Sequence, residues 1–75
     1  MRVIIGESVY RVTGEQTDKL LMVARKRIKS GIYAVEKDGV IELKKEKYKT
    51  ETGLRNAVRK YEKLGFKVFY NEITG

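Results

Sequence analysis

The chain has 75 residues, with 17 Lys and Arg against 10 Asp and Glu, a net charge of +7, and no Cys, His, Trp or Pro. The missing Cys excludes disulfides and thiolate metal sites, and without His a structural zinc would have only carboxylates to hold it, an unsuitable set. The length fits one small α+β domain, residues 1–75, with a thin stability margin, and the charge favours acidic partners or simply a solvated, Lys-rich surface.

Arg2–Ile5 is a short apolar run that reads as a strand, and residues 9–12 read as a second. Gly6-Glu7 between them suits a two-residue turn with Gly first. The alternative is one long strand over 2–13 with a bulge at Gly6. By alternation, Tyr10 and Val12 are expected to point inward. Thr13-Gly14-Glu15-Gln16 then fits a capping box, with Thr17 as a rival cap. The helix is expected to run to about Ser30, with Thr17, Leu20, Leu21, Ala24 and Ile28 on one stripe. Arg25, Lys26 and Lys29 fall on the opposite side, where they also complement the helix dipole. Gly31 suits the position just past the helix end.

Residues 32–37 and 40–44 flank Asp38-Gly39, a strong hairpin signal because both central positions of a type I′ turn need positive φ. In that register Ile32, Ala34, Ile41 and Leu43 share the core face. Tyr33, Val35, Val40, Glu42 and Lys44 share the other. Residues 45–49 alternate charge and read as a solvated strand end or loop. Thr50 or Thr52 caps a second helix, with Leu54, Ala57, Val58, Tyr61 and Leu64 as its apolar stripe. Arg55, Arg59, Lys60 and Lys63 lie outside that stripe. Gly65 fits a Schellman ending, with Phe66 folding back on Tyr61. Residues 67–71 form the last strand, Phe66, Val68 and Tyr70 facing in and Lys67 and Phe69 facing out.

The second helix and its strand echo the first. Leu20, Val23, Ala24, Arg25, Lys26, Lys29, Gly31, Ile32, Ala34 and Val35 align with Leu54, Ala57, Val58, Arg59, Lys60, Lys63, Gly65, Phe66, Val68 and Phe69, 34 positions later. Strand–helix–strand taken twice predicts a ferredoxin-like split βαβ sandwich: two helices on one face of an antiparallel sheet. A ββαββαβ mixed sheet is the alternative, because residues 2–12 can supply one strand too many.

Helices on one face leave the other open. The register places Tyr33, Val35, Val40 and Phe69 there, ringed by Lys37, Lys44 and Lys67. Rings among cations suit nucleic acid, since bases stack while ammonium groups hold phosphates. The same patch suits a protein or homodimer interface, and strand propensity alone also accounts for it. The candidate nucleic-acid residues are therefore Arg25, Lys26, Lys29, Tyr33, Lys37, Lys44, Arg59, Lys60, Lys63 and Lys67. Tyr33, Val35, Val40 and Phe69 are the candidate protein interface.

The expected architecture resembles the RNA-recognition motif in topology. It lacks that family's Gly-aromatic signature, and Tyr33 and Phe69 fall on the outer strands. Lys63-Leu64-Gly65-Phe66-Lys67-Val68-Phe69 is similar to the end of the SPOR peptidoglycan-binding domain, over about a tenth of the chain. The chain as a whole resembles small accessory proteins encoded by bacteriophages and prophages. That resemblance implies a protein that acts by binding, often on host nucleic-acid, proteolytic or division machinery.

No catalysis, cofactor or metal is expected. The usual general base and thiolate nucleophile are missing, as are the glycine motifs that cradle phosphates. The first residues lack a signal-peptide core and no apolar run approaches a membrane span, so a cytoplasmic protein is expected. The expected function is non-catalytic nucleic-acid binding through Lys and Arg of the helices or the sheet. The alternative is a protein-interaction module that modulates a host protein.

Overall fold

The computed structural model describes residues 1–73 and has the order ββαββαβ. The elements are β1 (Arg2–Ile5), β2 (Ser8–Arg11), α1 (Gly14–Arg27), β3 (Gly31–Lys37), β4 (Val40–Lys47), α2 (Glu51–Lys63) and β5 (Lys67–Asn71). They build one five-stranded mixed sheet in the order β2-β1-β4-β3-β5, with two helices. The α+β class and the two strand–helix–strand units therefore stand as expected, and residues 2–12 form a hairpin.

Local chemistry fixes most element ends. Gly6 takes φ +64° in the two-residue turn between Ile5 and Ser8. Asp38 (φ 52°) and Gly39 (φ 75°) both take the positive φ that a type I′ turn requires. The Thr13 hydroxyl accepts from the Gln16 amide, while the Gln16 side chain accepts from the Thr13 amide, closing the capping box. Thr50 caps α2 through the Gly53 amide. The Gly65 and Phe66 amides donate to the carbonyls of Glu62 and Tyr61, the two bonds of a Schellman ending. Phe66 then packs edge-on against Tyr61, ring centres 5.9 Å apart.

α1 stops at Arg27 and not near Ser30, with Ile28 as its C-cap. Gly31 has a different role from the expected helix end. It opens β3 with φ +147°, and a Cβ there would collide with the Glu46 carbonyl oxygen of β4. Only glycine lets the two backbones approach so closely. Residues 45–47 continue β4 and are not a loop.

The placement of the helices departs from the expected one-face sandwich. One cluster joins Ile32, Val35, Leu54 and Val58, with Phe66, Val68 and Tyr61 against it, so α2 packs there. The other joins Val3, Ala34 and Ile41, with Leu20, Leu21, Leu43 and Phe69, so α1 packs there. Ala34 and Val35 are neighbours on one strand and point to opposite faces. The helices therefore lie on opposite faces of the sheet.

Topology gives the reason. The pairings make β2 and β3 run one way and β4 and β5 the other. Both helical crossovers step the same way across the strand order. Crossovers of one hand, stepping the same way on oppositely directed strands, must lie on opposite faces. In the ferredoxin-like plan the second crossover steps back, which returns its helix to the first face. Here β1 and β2 occupy that side. Reaching beyond them would carry the chain three strand spacings from β4, about 14 Å, whereas the outer edge of β3 is two spacings away, about 10 Å. The sheet is mixed, as in the ββαββαβ alternative, since β1 runs parallel to β4.

A register slip adds a second departure. Both ladders of β3 shift between Ile32 and Ala34. A one-residue slip moves a side chain to the other face. Ile32 thus joins Val35 under α2 and does not share the face of Ala34, Ile41 and Leu43. Val12 is half-buried as expected; Tyr10 and Tyr70 stand opposite Val3 and Ile32, on the α1 and α2 sides as expected, but stay exposed.

Candidate functional site

The sequence-predicted sheet patch does not exist as one open surface. Val35 is buried under α2. Tyr33 and Phe69 sit on the α1 side, half-buried against each other with ring centres 6.2 Å apart. Val40 is half-buried. The part of the sheet left open is β1–β2 on the side away from α1, where Ile4 pairs with Val9 and Arg2 with Arg11.

The sheet cations are largely committed within the molecule. Lys37 Nζ donates to the Leu64 carbonyl at 3.0 Å and lies over the Phe66 ring. It satisfies an orphan carbonyl at the end of α2. Lys44 pairs with Glu42 at 3.0 Å and lies over Tyr61, and Lys67 lies over Phe69. These contacts account for all three without a ligand.

The helix cations divide between the two faces. On α2, Arg59, Lys60 and Lys63 are exposed, but acidic residues are mixed among them. Arg55 pairs with Glu51, and Arg59 shares a hollow with Glu51, Glu62 and Glu72. Lys60 borders a hollow with Glu46, whose carboxylate accepts from Tyr61 Oη at 2.6 Å and Tyr48 Oη at 2.9 Å. That hydrogen bond, with burial second, pushes the Tyr61 pKa up to about 12. Burial first, then the bond to Glu46, raises that of Tyr48.

The end of α1 is different. Arg25, Lys26 and Lys29 line a shallow recess with Met22 and Asn71 and no carboxylate. The spacing explains the grouping: positions 22, 25, 26 and 29 fall along one flank of a helix and its exit. Asn71, from β5, fixes the recess. Its amide nitrogen donates to the carbonyls of Arg25 (2.9 Å) and Ile28, and its oxygen accepts from Arg25 Nε at 3.2 Å. Nothing in the sequence pointed to Asn71, because its partners lie far away along the chain.

The opposite flank of α1 is apolar. Leu20 and Val23 face Ile5 and Leu43 across a groove of about 500 Å³, with Arg27 and Lys45 at its border. Sequence reading left Val23 off the helix stripe and named neither Arg27 nor Lys45 as a site residue. The unexplained apolar residue at position 23 was the available signal.

Among the described residues only two ion pairs form, Lys44–Glu42 and Arg55–Glu51. Among the described residues, no helix is long and apolar enough to cross a membrane. No protein-family model, curated protein or solved structure matches the chain.

Proposed function

We propose that the protein binds nucleic acid through its phosphate backbone, with Arg25, Lys26 and Lys29 at the centre of the contact. The carrying observation is the α1 recess, where these cations gather without a carboxylate among the lining residues. On α2 the positive charge is interleaved with acids, and on the sheet Lys37, Lys44 and Lys67 are engaged by rings, a carbonyl or a carboxylate. The excess of +7 makes approach to a polyanion favourable from a distance. Asn71 holds the helix end against β5, so Arg25 presents its guanidinium from a fixed position. A fixed planar fork suits phosphate oxygens, and the flexible lysines follow as point charges.

Tyr33 and Phe69 pack against each other, so base stacking is not the source of affinity in this reading. Binding then depends little on base identity and steeply on salt, with a slope of about 0.9 per phosphate neutralised on duplex DNA. The test is a titration of labelled single- and double-stranded oligonucleotides at two salt concentrations. Exchanging Lys26 and Lys29 for Glu is expected to weaken binding by at least about tenfold and to flatten the salt slope. The matched Arg59→Glu and Lys63→Glu exchange is expected to do less. Failure of the parent chain to reach micromolar binding at low salt would dismiss the reading.

A further inference from the structure

The apolar flank of α1 has a second feature beside it. β1 pairs with β4 only from Val40 to Glu42, then turns away at Gly6. β4 continues to Lys47. Among the described residues, no strand pairs with the edge of β4 that β1 has left from Leu43 onward. An unpaired strand edge is a template for another strand. This one opens beside the groove formed by Ile5, Leu20, Val23 and Leu43, with Arg27 and Lys45 at its border.

We propose that this notch binds an extended, acidic peptide segment of another protein, which adds a short strand to β4 and places apolar side chains in the groove. Strand addition divides the work in this way: main-chain bonds give affinity, and pockets for alternate side chains give selectivity. Each part has a counterpart here. The edge supplies main-chain groups. The groove takes residues of one parity, and Val23 and Ile5 remain 49% and 40% exposed without such an occupant. Arg27 and Lys45, at the groove border, set the charge of the partner.

Charge also decides against a second copy of this chain. Lysines on an edge repel a like-charged strand, and each copy carries +7. Nucleic acid would satisfy the cations, but it has no strand to pair with β4 and would leave the apolar groove unfilled. The notch and the recess lie on opposite flanks of α1, so this site stands independently of the phosphate contact.

The test uses the full chain and a short synthetic peptide of alternating Glu and Val, followed by fluorescence anisotropy and by backbone amide shifts. Saturable binding is expected, with shifts concentrated at 43–47 and along Leu20 and Val23. Val23→Glu places a charge in the groove and is expected to weaken binding at least about tenfold, while exposure of this position leaves the fold intact. A peptide methylated on alternate backbone amides loses strand pairing without touching the protein, and it too is expected to bind at least about tenfold more weakly. Equal binding of the methylated peptide, or shifts at Arg25, Lys26 and Lys29 in place of the notch, would overturn the proposal. So would self-association through 43–47, or a duplex oligonucleotide that displaces the peptide and shifts the same amides. The Lys26 and Lys29 exchange is expected to leave peptide binding unchanged, which separates this result from that of the phosphate contact.

Discussion

The two sides of the sheet are finished to different degrees. Under α2, Leu54 and Val58 close on Ile32 and Val35, Tyr61 meets Phe66 edge-on, and Glu46 takes both tyrosine hydroxyls. Lys37 then seals the helix end. Under α1 the buried residues of the helix and its cap are Thr17, Ala24 and Ile28, mostly small, and Met22 and Val23 stay outside. The α2 side is closed by its helix, whereas the α1 side has a buried core of its own and also leaves apolar and cationic surface exposed. A small domain cannot leave both sides open and stay folded.

Core truncation tests this contrast most strongly. Leu54→Ala removes a buried side chain and is expected to cost about 2–5 kcal/mol. Leu20→Ala, at a half-buried position beside the groove, is expected to cost less than about 2 kcal/mol. Chemical denaturation of both variants measures the difference, and equal losses would break the contrast.

Alkaline titration sharpens it. Tyr61 is raised to about 12 in the folded chain from an ordinary value of 10.0. The folded state therefore keeps its proton where the unfolded state gives it up. That stabilisation is complete below pH 10 and is lost as pH rises toward about 12. Glu46→Gln removes the carboxylate that raises the pKa. Its tyrosinate absorbance is expected to appear at lower pH, and its alkaline loss of stability to be shallower. An unchanged titration would mean that Glu46 does not hold Tyr61.

The smallest expected effect lies at the caps. Thr13→Ala and Thr50→Ala should each cost about 1 kcal/mol. The two losses should be similar, because each change removes one hydroxyl acceptor and the Gln16 half of the Thr13 box, made to a main-chain amide, remains. Thermal unfolding of the two variants compares them.

What could be read from the sequence follows the range of the interactions. The Thr13 box, the Asp38-Gly39 turn and the Gly65 ending with Phe66 on Tyr61 involve residues a few positions apart. Each was visible because the chemistry is local. The α1 and α2 stripes were visible through helical spacing, except that Leu64, past the end of α2, is exposed and not part of the core. The opposite placement of the helices was not, because it depends on which edge of the sheet β5 joins. The slip at Tyr33 was not, because nothing local marks it, and it moved Ile32 and Val35 together under α2. Of the candidate site, Arg25, Lys26 and Lys29 were legible as a helix flank. The commitments of Lys37, Lys44 and Lys67, and the part played by Asn71, depend on contacts between distant segments.

The tie from Asn71 to the first helix also has a consequence in time. Asn71 lies 46 residues beyond Arg25. On the ribosome, α1 is made long before β5 exists. Until then the carbonyls of Arg25 and Ile28 remain hydrated, and the outer margin of β3 has no neighbour. The C-terminal end of α1 thus acquires its final shape as a late event of biogenesis, once β5 has been made.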